Sequence, residues 1–70
     1  MNALKLKAKM ILEEVTIDDV CRELKISRTS WFRKIGGTNQ FTLREVAILR
    51  GMLKLDQGQT DEIFFEREVS

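Results

Sequence analysis

Three times along this 70-residue chain an apolar residue stands directly before a Ser or Thr, and a second apolar residue follows the hydroxyl residue four places on. The three sets are Val15-Thr16 with Val20, Ile26-Ser27 with Trp31, and Phe41-Thr42 with Val46. That spacing is a hydrophobic staple around a helix N-cap. The side-chain oxygen takes an orphan N–H of the first turn, and the two apolar residues close over it and fix the angle of entry. Glu45 completes a capping box with Thr42, Asp19 takes the same place after Thr16, and Ser30 takes it after Ser27. Each cap is worth about 1 kcal/mol. A chain that starts helices here, has no proline and repeats its apolar residues at three and four reads as all-α.

The pattern predicts five short helices. The first covers about 3–13, with Leu6, Met10, Ile11 and Val15 as one stripe and Leu4, Ala8 and Leu12 beside it. The second covers about 17–24 and the third about 28–35. Only Lys25-Ile26-Ser27 separates these two, which forces them into contact at a steep angle. Val20, Cys21 and Leu24 face Trp31 and Ile35 across that contact. Gly36-Gly37 stops the third helix, because glycine adopts positive φ at least cost. A polar loop, Thr38-Asn39-Gln40, leads to a fourth helix over about 43–53 that buries Val46, Leu49 and Leu53. "DQGQ" reads as a break, and a last short helix near 60–66 carries Ile63, Phe64 and Phe65.

Length allows one domain, spanning 1–70. Burying about 60% of its unfolded surface leaves a chain this small only marginally stable. The single cysteine excludes an intrachain disulfide, and Cys21, inside an amphipathic segment, reads as a small buried apolar side chain in a reducing compartment. The N-terminal "MNALKLKAKMILEEV" has no continuous apolar run and no cleavage site, so it is not a signal peptide. No run approaches the roughly 20 apolar residues of a membrane span. With no His, neither the commonest general base nor a Cys–His or Ser–His pair is available, and a lone Cys makes no common zinc site. Gly36-Gly37 lacks the lysine and spacing of a phosphate loop. The chain is expected to be no enzyme and to need neither metal nor cofactor.

Net charge is +1, but it is unevenly spread. Residues 1–50 hold ten Lys/Arg against six Asp/Glu, and residues 51–70 hold two against five. From Lys25 to Arg44 there are five basic residues and no acid, which predicts a polarised surface.

The segment "TIDDVCRELKISRTSWFRKIGG" resembles the helix-turn-helix of the Cro/C1 (lambda-repressor-like, XRE) class of small phage-type repressors and regulators. The motif spans about 16–36. Thr16 opens its first helix, Cys21 stands where the class prefers Ala, and Leu24, Ile26 and Trp31 take its core places. "FTLREVAILRGMLKL" is similar to its fourth helix. The chain departs from the class at three places. Ile17 replaces a frequent phosphate-binding Gln, and Lys25 and Glu14 stand where Gly is common.

The resemblance implies a sequence-specific transcriptional regulator acting in the cytoplasm of a bacterial or phage-infected cell. Its partner would be double-stranded DNA, with helix 28–35 lying in the major groove. Arg28, Thr29 and Arg33 match the base-reading places. Phe32 either joins them against a thymine methyl or packs under the fourth helix. Ser27, Ser30, Lys34, Thr38, Asn39, Gln40 and Arg44 suit phosphates. Lys5, Lys7 and Lys9 read as a solvated face or as further phosphate contacts. Ile63, Phe64 and Phe65 are either core or the contact of a weak homodimer, one formed in solution or only on DNA. The rival is a phage modulator or antirepressor, a protein-interaction module with the same fold that binds another regulator.

Overall fold

The computed structural model describes residues 1–65. It is an all-α bundle: α1 (Ala3–Leu12), α2 (Ile17–Leu24), α3 (Arg28–Ile35), α4 (Leu43–Met52) and α5 (Gln57–Thr60), the last running on into a π-helical turn, Asp61–Phe65. The three expected caps form as read. Thr16, Ser27 and Thr42 accept from the backbone N–H groups of Asp19, Ser30 and Glu45, and the reciprocal carboxylate bonds close full capping boxes at Thr16 and Thr42. The sequence hid a fourth start. Asp56 caps α5 with Gln59 as its reciprocal partner, so this helix begins at Gln57 rather than near 60. "DQGQ" is therefore a helix start, masked by Gly58 and by a polar residue, Thr60, at the staple position.

Four helices end alike. Glu14, Lys25, Gly37 and Lys54 all take positive φ. After each, a backbone N–H reaches back five residues: Val15 to Met10, Ile26 to Cys21, Thr38 to Arg33 and Leu55 to Arg50. This is the Schellman closure, which satisfies a carbonyl orphaned at the helix end. Only one of the four left-handed residues is glycine; the others each accept a local cost of about 1–2 kcal/mol. Val15, Ile26 and Leu55 then serve twice, closing one helix and preceding the cap of the next. That economy is why the connections are so short.

The core gathers Leu6, Met10, Val20, Cys21, Leu24, Trp31, Leu49, Leu53, Leu55 and Ile63. Trp31 is its largest wholly enclosed side chain. Phe41 lies edge-on between Trp31 and Phe64, with ring centroids 5.7 and 5.6 Å away, and so ties α3 to the turn Asp61–Phe65. The start of the chain is tied to the same turn: the Asn2 N–H donates to the Ile63 carbonyl at 2.7 Å, and Lys5 pairs with Glu62 at 2.9 Å.

Helix α1 differs from expectation. Leu6 and Met10 are buried, but Ile11 is 77% exposed, and Leu4 and Leu12 are exposed to a similar degree. Two apolar faces compete on this helix, and the 6/10 line wins the core. Ile63 is 3% exposed and Phe64 is packed on Phe41, so both belong to the interior and only Phe65 of that trio is exposed. Ile63 has no surface to offer a partner. No helix among the described residues is long and apolar enough to cross a membrane.

Candidate nucleic-acid interface

Helices α2 and α3 meet through the turn Lys25-Ile26-Ser27. The left-handed Lys25 (φ 57°) reverses the chain, Ile26 packs against the core, and Ser27 starts α3. Cys21 sits at the contact, buried, with its thiol 3.8 Å from the Ser27 carbonyl. Burial pushes that thiol's pKa up, as suits an inert packing residue.

Trp31 presses one side of α3 into the core, with Ile35 packed against it on the same side. Arg28, Thr29, Phe32 and Arg33 are all exposed. Thr29 and Arg33 are four residues apart and share a line along the helix away from Trp31. Phe32 is 53% exposed, which resolves its two readings in favour of the surface. Ser27 and Ser30 are occupied with each other: the Ser27 hydroxyl accepts from the Ser30 N–H at 3.1 Å and donates to the Ser30 hydroxyl at 3.3 Å. Thr38, Asn39, Gln40 and Arg44 are exposed on the loop and at the start of α4.

Two basic residues are not free in the way the acid-free stretch 25–44 suggested. Lys34, expected at a phosphate, is pulled in by an acid just beyond that stretch. Its ammonium meets the Glu45 carboxylate at 2.9 Å, with side-chain exposures of only 12% and 7%. It also donates to the Gln40 carbonyl at 3.2 Å and stands 5.6 Å from the centre of the Phe41 ring. Its ammonium is thus spent on joining α3 to α4. Burial pushes the Glu45 carboxyl up. The Thr42 N–H, together with the hydrogen bond and charge of Lys34, outweighs that and leaves its pKa below the usual value.

Arg28 is held from the other side. Its Nη1 donates to Asp18 of α2 at 2.5 Å, with both side chains exposed. Sequence reasoning missed Asp18, because it lies ten residues before Arg28 and only the α2–α3 turn brings the two together. Among the described residues, Lys25, Arg33 and Arg44 have no acidic partner within ion-pair reach. The surface is therefore basic at these three points, with Arg28 oriented by a neighbouring acid. It can donate forked hydrogen bonds and make apolar contact at Phe32.

Neither a family model nor a curated protein sequence matches the chain, and no solved structure matches its fold.

Proposed function

We propose that the protein is a sequence-specific DNA-binding regulator whose α3 enters the major groove of an operator. One observation carries this: α3 is pinned inward by Trp31 while it presents Arg28, Thr29, Phe32 and Arg33 outward, on a capped helix that follows α2 through a three-residue turn. A major groove admits a helix of this size, and its bases are read by the groups α3 offers. Arg33 and Arg28 suit guanine O6 and N7, and Thr29 and Phe32 suit a thymine methyl. Asp18 acts on the base readout through Arg28, holding one guanidinium nitrogen so that the fork meets its base already oriented. Arg44 and Lys25 neutralise phosphates, and the exposed loop Thr38-Asn39-Gln40 lies within the same footprint.

In this role the protein is no enzyme and needs no cofactor. It works in the cytoplasm by occupying its operator. The similarity of "TIDDVCRELKISRTSWFRKIGG" to small phage-type repressors supports the proposal. One helix reads few base pairs, so two copies act together on a palindromic site, with half-sites about 34–36 Å apart.

A second reading is favoured by a specific feature. The exposed leucines and isoleucine of α1 would suit a modulator that binds another regulator protein. Selection of bound sequences from a random duplex pool separates the two. The regulator yields a consensus, and Arg33→Ala relaxes one position of it with a loss of about 1–3 kcal/mol. A pool that never converges, or a consensus that Arg33→Ala leaves untouched, overturns the assignment of α3.

A further inference from the structure

A cleft opens between the end of α3, the loop before α4 and the turn Asp61–Phe65. Its volume is about 360 Å³, and Phe41, Val46, Phe64 and Phe65 line it together with Lys34 and Asn39. A cavity of about 150 Å³ holds a benzene ring, so this one has room for a single ring and a polar substituent. The wall is aromatic. Phe41 and Phe64 are half-buried and already meet edge to face, while Phe65 is 46% exposed and has no ring partner among the described residues. Phe64 and Phe65 end a π-helical turn, a rare form that is frequent at functional sites, and it brings two consecutive rings to the same cleft.

Lys34 decides what the ring can carry. An ammonium has three N–H donors. Two are taken, by the Gln40 carbonyl at 3.2 Å and the Glu45 carboxylate at 2.9 Å. The Phe41 ring, with its centre 5.6 Å away, is too far off to take the third. Glu45 thus neutralises the charge of Lys34 and leaves it one donor. A carboxylate bound to that donor would lie on the order of 5 Å from the Glu45 carboxylate, and like charges so close in a part-buried site oppose one another. The donor therefore suits a neutral acceptor, a carbonyl oxygen. Asn39, exposed on the loop, can both donate and accept.

We infer that this cleft binds a small neutral aromatic carbonyl compound, an aromatic amide being the simplest. The ring lies against Phe41, Phe64 and Phe65, the carbonyl oxygen accepts from Lys34, and the amide N–H meets Asn39. For a one-ring ligand the dissociation constant is on the order of 1 mM. The inference stands apart from the DNA-binding proposal, since it concerns the protein alone.

Titrating ¹⁵N-labelled protein with benzamide up to about 20 mM and following its amide chemical shifts tests it. The shifts should saturate and gather on Gly37, Asn39, Phe41, Val46 and Phe65. Benzoate, with the same ring and a negative charge, should bind about tenfold more weakly. Cyclohexanecarboxamide, with the same amide and no aromatic face, should bind about fivefold more weakly. Phe65→Ala should weaken benzamide about fivefold and Asn39→Ala about threefold, with helicity unchanged because both side chains are exposed. Should Phe65→Ala fail to fold, the three ligands and Asn39→Ala decide the matter. No saturable shift, or shifts scattered away from the cleft, overturns the inference. So does benzoate binding as tightly as benzamide, a cyclohexane ring doing as well as an aromatic one, or folded variants that bind unchanged. Shifts at the same amides on diluting ligand-free protein from about 1 to 0.05 mM would mean that a second copy fills the cleft, and would overturn it as well.

Discussion

The contact between Lys34 and Glu45 decides how rigidly the α3 helix is presented, and its strength can be worked from its surroundings. Exposed ion pairs contribute about 0.2–1 kcal/mol, while removing one partner of a buried pair costs about 3–5 kcal/mol. This pair is 2.9 Å long with side chains 12% and 7% exposed, which puts it near the buried end. The Glu45 carboxylate keeps the Thr42 N–H at 2.9 Å when Lys34 is removed, so part of its satisfaction survives. Lys34→Met and Glu45→Gln should therefore each destabilise by about 2–3 kcal/mol, the second retaining an oxygen for the cap. In the double variant neither charge is left stranded, and the loss should fall short of the sum by about 2 kcal/mol. Urea unfolding followed by far-UV circular dichroism at pH 7 measures the cycle, and raising salt from 0.1 to 1 M should change the coupling little. A coupling below about 0.5 kcal/mol would mean that the pair behaves as an exposed one and that α3 is not fastened at this end. Because Lys34 is spent on Glu45, Lys34→Met should also leave the salt dependence of DNA binding unchanged in folded protein. Arg44→Ala should reduce its slope by about one for each bound chain.

Trp31→Ala should cost about 3–5 kcal/mol, comparable to the whole stability of a chain this small, and circular dichroism should show it largely unfolded at 37 °C. Native helicity would put Trp31 on the surface. Lys25→Gly should gain about 0.5–1 kcal/mol, since relief of the left-handed strain at φ 57° exceeds the extra entropy of an unfolded glycine. A loss in thermal unfolding would mean that the turn is not strained. The lowered Glu45 pKa sets an acid limit. The folded carboxyl binds its proton less readily than the unfolded one, with its ordinary value of 4.5, so its stabilising contribution is complete above that value and is lost as pH falls through the lower folded value. Melting temperature should hold from pH 7 to about 5.5 and drop below about 4.5, with a shallower drop in Glu45→Gln.

Helix starts were legible because a cap and its staple lie within six residues of one another. Thr16, Ser27 and Thr42 each carry the full signal in local sequence. Asp56 was missed because its reciprocal partner, Gln59, is joined by no apolar staple residue at position 60. Helix ends were less legible: three of the four left-handed positions hold Glu or Lys, which carry no turn signature of their own. On α1 a helical period shows that residues share a face but not which face goes inward when both are apolar, so Ile11 reads as one stripe with Leu6 although it turns outward. The outward-facing residues of α3 were legible because Trp31 fixes the helix's rotation. Their acidic partners were not. Asp18 and Glu45 lie outside the basic stretch and reach it only after the chain folds. Ile63 and Phe64 are placed by the last turn, which carries Ile63 into the core and Phe64 against Phe41.

Binding to a random-sequence duplex across a range of salt bears most directly on the proposal that α3 and its surroundings meet DNA. Neutralising Z phosphates releases their counterions, so log K falls against log salt with a slope of about −0.9Z. Two chains, each placing Lys25, Arg33 and Arg44 near the backbone with Arg33 partly engaged at bases, should give a slope of roughly −4 to −5. Arg44→Ala, applied to both chains, should lower its magnitude by about two. A DNA-binding regulator shows this dependence. Negligible duplex binding at 50 mM salt, or an affinity that does not change between about 50 and 200 mM, would contradict it and leave a module that binds protein instead.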